Sequence, residues 1–130
     1  MALTYHFDPE PGLVVLVRTH HPTFDEWSAT MDALLSDPQF TPGMSILDDR
    51  RSVTTVPSRE EVERTAAWIR RNHSQFGAAR WAVVLDPGAP AVFGMARVKE
   101  FLTDQSGVAL RSFTDMASAR AWAIAGAETE

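Results

Sequence analysis

The sequence has no cysteine, a single lysine and no long apolar run, and each absence excludes a class of protein. Without cysteine there is no disulfide, no thiol chemistry and no cysteine-ligated metal. No apolar segment approaches the roughly 20 residues that a membrane-spanning helix requires, and the first residues show no basic stretch followed by an apolar one. We therefore expect a cytoplasmic protein that does not insert into a membrane.

Positive charge is also scarce. The 130 residues include 12 Lys and Arg against 17 Asp and Glu, so the formal net charge is −5. Nucleic-acid binding usually needs a basic stripe that supplies most of the affinity, and we expect no nucleic-acid partner. The length predicts one domain spanning residues 1–130, with residues 126–130 as a frayed tail.

Five short apolar runs predict five strands, with helical periodicity between them after the first pair. The predicted strands are Leu3–Phe7, Leu13–Val17, Met44–Leu47, Trp81–Leu85 and Val108–Phe113. Because parallel neighbours need a crossover connection, this alternation predicts an α/β fold with a mixed, mostly parallel sheet. The short turn at Asp8–Gly12 suits a hairpin between the first two strands. We expect the strand order 1-2-3-4-5, with strand 1 antiparallel and the more polar strand 5 at an edge.

Four helices are predicted. They begin at Thr23, at Ser58, near Pro90 and at Thr114 or Asp115, and the third ends near Leu102. Right-handed crossovers place the main helices on one face of the sheet. The other face also needs a cover, because strands 2 and 4 are apolar on both sides. The last helix, residues 52–57 or a second subunit would supply it, and the third option is our reason to expect a homodimer.

Several short segments resemble, in their order and spacing, a known family. They are Tyr5–Pro9, Gly12–Val14, Asp37–Gly43, Ile46–Arg50, Ser58–Val62, Phe93–Arg97, Phe113–Asp115 and Ala121–Trp122. The chain is similar nearly end to end to the SpoIIAA-like fold of sulfate-transporter and anti-sigma-antagonist (STAS) domains, and most of all to small bacterial STAS/SEC14-like proteins. The resemblance implies a right-handed β-α superhelix with sequential strands. It also implies a non-enzymatic binding or regulatory module that acts through protein contacts, with no cofactor.

The chain departs from the family pattern at the position of phosphorylation. Phosphorylated members of the wider fold have an Asp-Ser-Ser-Gly type loop after the third strand, whereas this chain has Asp48–Ser52 there, without glycine. The phosphorylated serine is therefore not carried over. Ser58 stands at a helix start, but its capping box with Glu61 gives it a structural role, so we do not expect its phosphorylation.

Polar residues follow three strands that are predicted to be neighbours. Ligands of an open parallel sheet bind outside the carboxyl ends of its strands, so we expect a ligand site at this rim. Its candidate contacts are Arg18, His20, Asp48, Arg50 and Asp86. The arginines, with Arg51, suit a phosphate or carboxylate, although neighbouring aspartates weaken their field. The alternative to a protein-binding module is therefore a binder of an anion, a nucleotide or a lipid.

A metal site fits the same rim less well. It would combine His20 or His21 with Asp48 or Asp49. Adjacent residues of an extended chain point to opposite faces, so each pair offers one ligand. Two ligands do not make a tight site, and we predict no metal.

Two further functions were open from the sequence. A hydrolase would use a histidine as base and Thr54, Thr55 or Ser58 as nucleophile, but no motif fixes that geometry and we predict no catalytic residue. A protein partner would need an exposed anchor. Trp68 lies off the apolar stripe of its helix, so we expect it to be half-exposed and able to serve as that anchor.

Overall fold

The computed structural model describes residues 2–53, 55–88 and 107–128. Its strands are β1 (Leu3–Phe7), β2 (Leu13–Arg18), β3 (Ser45–Asp49), β4 (Arg80–Val84) and β5 (Ala109–Phe113), and its helices are α1 (Phe24–Ser36), α2 (Arg59–Arg71), α3 (His73–Phe76) and α4 (Met116–Glu128). The α/β class and all five predicted strands are confirmed. The helix predicted from Pro90 to Leu102 lies outside the described residues. Within these ranges, no helix is long and apolar enough to cross a membrane.

The five strands form one sheet in the order β1-β2-β3-β4-β5, as predicted. β1 pairs antiparallel with β2, and the other neighbours pair in parallel. The hairpin closes through a hydrogen bond from the Asp8 N–H to the Leu13 carbonyl. Gly12 has φ 80°, a left-handed conformation that glycine adopts without a steric penalty. β5 lies at the edge of this sheet, which the polar pattern indicated.

The face of the sheet that α1 and α2 cover carries the larger core. Alternate residues of each strand point to this face, so Val14 and Leu16 of β2 lie there beside Ile46 of β3. Trp27 of α1 lies over the sheet, with its ring 6.4 Å from that of Trp81 and nearly parallel to it. This core therefore ends, toward the carboxyl edge of the sheet, close to the predicted ligand rim.

Trp68 is buried, with 6% of its surface exposed, so the expectation that it is half-exposed was wrong. Its ring meets Trp27 edge-on at 5.1 Å between centroids and lies 6.0 Å from Phe76. Phe76 reaches it because α2 ends at Arg71 and the chain turns into α3. Trp68 is thus a core residue and supplies no exposed anchor for a partner.

The opposite face of the sheet is covered by α4. Ala119 and Ala123 are fully buried there against Leu13, Leu47 and Val84. Of the three predicted covers, the last helix is the one observed. The helix extends to Glu128. The homodimer stays a prediction, but the uncovered face that motivated it is occupied by the chain itself.

An ion pair fastens α4 to the hairpin. Arg120 Nη1 and Nη2 donate to the two carboxylate oxygens of Asp8 at 3.0 and 2.7 Å. These hydrogen bonds lower the pKa of the Asp8 carboxyl below its ordinary value. The pair joins residues that are distant in sequence, so it contributes to the position of α4.

We expect the Asp8→Asn variant to be less stable than the wild type at about pH 7 by up to about 1 kcal/mol, the usual contribution of a partly exposed pair. Since the pKa of Asp8 is lower in the folded state than in the unfolded one, this contribution is lost as the pH falls through the folded pKa. Urea unfolding at about pH 7 and about pH 3 measures the difference, which should be smaller in acid. Asp32→Asn, at an exposed carboxylate of α1, is the control, and an equal loss there would contradict the assignment.

Candidate functional site

Asp48 is a fully buried carboxylate within β3. Side chains alternate along a strand, so Ile46 and Asp48 point to the same face, toward α1 and α2. The parallel register places Leu16 on one side of Asp48 and Val83 on the other. Its exposed fraction is 0%. A buried charge is tolerated only when it is paired and hydrogen-bonded, so the partners of Asp48 define the site.

Among the described residues, hydrogen bonds to this carboxylate come from Arg18, Arg50 and Trp81. Arg18, the last residue of β2, donates from Nε to Oδ1 at 3.0 Å and from Nη2 to Oδ2 at 3.1 Å. Arg50 donates from Nε and Nη2 to Oδ2 at 3.2 and 3.1 Å. The indole Nε1 of Trp81 donates to the same oxygen at 3.2 Å. We call Arg18, Asp48, Arg50 and Trp81 the Asp48 cluster.

The Asp48 cluster holds two positive charges and one negative charge. The side chain of Arg50 is 14% exposed, and that of Arg18 is buried. Burial is the main cause that lowers the pKa of Arg50, and the charge of Arg18 lowers it further, while Asp48 opposes both. Guanidinium groups stay protonated at neutral pH all the same. Within the described ranges, no hydrogen bond uses the Nη1 group of either arginine.

A cavity of about 60 Å³ adjoins the two arginines. Its wall includes Arg18 and Arg50 together with apolar side chains from Phe24, Trp27, Val53 and Val62. Phe24 and Val62 belong to the first turns of α1 and α2, so both helices begin at this cavity. The amino-terminal end of a helix carries partial positive charge. The cavity therefore combines two guanidinium groups, two helix starts and an apolar wall.

His21 and Glu61 form a hydrogen-bonded pair on the same wall. His21 Nε2 lies 2.6 Å from Glu61 Oε2, and both residues line the cavity. The hydrogen bond from His21 is the main cause that lowers the pKa of the Glu61 carboxyl. Glu61 is thus a carboxylate at neutral pH, and its negative charge faces the cavity beside the imidazole.

Of the five predicted contacts, the structure brings Arg18, Asp48 and Arg50 together. His20 is exposed, and its Nδ1 lies 3.2 Å from the hydroxyl of Thr19. Asp86 accepts a hydrogen bond from the backbone of Gly88 at 2.9 Å. Neither His20 nor Asp86 lines the cavity.

The remaining candidates lie elsewhere. Arg51 pairs with Asp49 at 2.9 Å at the surface, and the Ser58 hydroxyl accepts the Glu61 N–H that begins α2. The contact between Thr19 and His20 joins a hydroxyl to an imidazole, but it lies outside the cavity. Among the described residues there is no group of three or more His, Asp and Glu that could hold a metal ion. Thr54 lies outside the described residues.

Replacing Asp48 should cost far more stability than replacing its neighbour. Asp48→Asn leaves the guanidinium groups of Arg18 and Arg50 without their shared counter-charge, and we expect a loss of about 3–5 kcal/mol. Asp49→Asn removes a partly exposed pair with Arg51 and should cost less than about 1 kcal/mol. Urea unfolding followed by tryptophan fluorescence measures both. Equal losses would show that the charge of Asp48 does not organise this region.

No model of a protein family matches this chain. A search among curated proteins finds no match either. The geometry of the Asp48 cluster and its cavity is therefore the basis for assigning a function.

Proposed function

We propose that this protein is a non-enzymatic module that binds a small anion at the carboxyl rim of its sheet. One observation carries the proposal: two arginines line a cavity while they share a single buried carboxylate. The sharing leaves one positive charge in excess and N–H donors available on both guanidinium groups. Paired N–H donors of arginine bind carboxylates and phosphates strongly.

Asp48 would act as a positioning residue for this anion. It fixes both guanidinium groups through four hydrogen bonds, so little side-chain freedom is lost when a ligand binds. Preorganisation of this kind raises affinity because the arginine side chains are ordered before the ligand binds, so binding costs less conformational entropy. The helix starts at the cavity add partial positive charge on the same side.

The size of the cavity supports a small ligand over the nucleotide or lipid that the sequence left open. Pockets for larger organic ligands measure about 300–1,000 Å³, whereas this cavity measures about 60 Å³. A phosphate, sulfate or short carboxylate matches that size.

A STAS-like module that acts through protein contacts is the second candidate. The sequential strand order and the antiparallel β1 are features that the resemblance to STAS/SEC14-like proteins implies, and they favour it. An extended apolar surface would favour it further. Among the described residues, Val56, at 45%, is the large hydrophobic side chain that is exposed. Anion binding is therefore our first proposal. Under it, binding to another protein or to a second copy of the chain would follow from binding of the anion.

Arg50 and its neighbour Arg51 offer a matched test. Arg50→Gln removes a cavity guanidinium, whereas Arg51→Gln makes the same change at the surface. We titrate acetate and sulfate separately at constant ionic strength, and expect the wild type to bind at least one of them. Affinity should fall about tenfold or more in Arg50→Gln, as a charged hydrogen bond contributes about 1.5–3 kcal/mol.

The binding is measured by calorimetry, with circular dichroism to confirm that each variant is folded. Arg51→Gln should bind like the wild type. No binding to the wild type, or equal losses in the two variants, would overturn the proposal.

A further inference from the structure

We infer that the anion is a small monocarboxylate with a short apolar substituent, rather than an inorganic dianion. This inference rests on the proposed anion site and names its ligand class. Three features of the cavity carry it: the charge of the surrounding groups, the apolar wall and the volume.

The charge around the cavity disfavours a dianion. Arg18 and Arg50 with Asp48 sum to one positive charge. Glu61 adds a carboxylate to the wall, and His21 is its partner at 2.6 Å. With Glu61 counted, two arginines face two carboxylates, so the site accepts one added negative charge better than the two of a dianion, which Glu61 would repel. The planar carboxylate also suits the paired donors of a guanidinium.

The apolar side chains of the cavity wall favour a ligand with carbon atoms over an inorganic ion. Trp27, Val53 and Val62 line the cavity beside the arginines and are themselves buried. Phe24 joins them, and its ring is held by the Arg64 guanidinium, 4.2 Å from the ring centre. Sulfate or phosphate offers nothing for these side chains to contact. A carbon chain next to a carboxylate would contact them and be removed from water.

The volume limits the length of that chain. A single water molecule needs about 10–15 Å³ of such cavity space, so about 60 Å³ admits a group of a few heavy atoms. The carboxylate and one or two carbons fill this space. Longer chains would leave the cavity, and their additional carbons would gain little.

A series of carboxylates on the full chain tests the inference. Formate, acetate, propionate and butyrate are titrated as sodium salts at constant ionic strength and about pH 7, with sulfate alongside. We expect affinity to rise about three- to fourfold per carbon from formate to propionate, the gain from burying one methylene. It should level off at butyrate, and propionate should bind more tightly than sulfate.

The Val53→Thr variant tests the contribution of the apolar wall to binding separately from that of the arginine charges. The substitution keeps the shape and places a hydroxyl on the wall, so the advantage of propionate over formate should shrink about threefold while formate binding is kept. Val56→Thr makes the same change three residues away, at an exposed side chain outside the cavity. It should leave the whole series unchanged.

The outcomes distinguish the ligand class from the site. A flat series, sulfate binding more tightly than propionate, or equal effects of Val53→Thr and Val56→Thr would overturn the monocarboxylate while the anion site stands. No binding of any of these anions would overturn the proposed function itself.

Discussion

A carboxylate stands in the middle strand of this sheet where a core side chain would otherwise be, and its charge has to be balanced without water. Arg18 reaches it from the end of β2, Arg50 from just beyond β3, and Trp81 from β4. These donors meet because the three strands are adjacent and parallel. Buried ion pairs are often no more stable than apolar residues of the same volume. The Asp48 cluster therefore calls for a reason other than stability, and the proposed anion binding would provide one.

The topology explains why the site lies on one face. α1 follows β2 and α2 follows β3, so both helices begin at the carboxyl edge of the sheet, where Arg18 and Arg50 lie. Their starts thereby form two sides of the cavity. The opposite face is closed by α4, whose buried alanines let the helix lie close to the strands. One face of the sheet thus carries the site and the other is filled by packing.

Periodicity in the sequence was enough to predict the sheet, because strand alternation and helix spacing are local patterns. It did not predict the burial of Asp48, since the apolar run stops at Leu47 and the two aspartates after it read as a loop. His21 lines the cavity and His20 does not, and the sequence could not distinguish them because which of two adjacent side chains faces a cavity depends on the path of the loop. Trp68 was misjudged because its burial depends on α3 and on Trp27 from another helix. Local sequence patterns thus predict the strands and helices, whereas contacts between residues distant in sequence determine which side chains form the site.

The most direct test of the central claim is a crystal structure of the protein soaked in sodium bromide, with the ion located by its anomalous scattering. The claim that the Asp48 cluster presents two arginines to a small anion predicts a bromide ion beside both guanidinium groups, in contact with their Nη1 atoms. An intact cluster with no bromide there, while the ion occupies other sites, would contradict it.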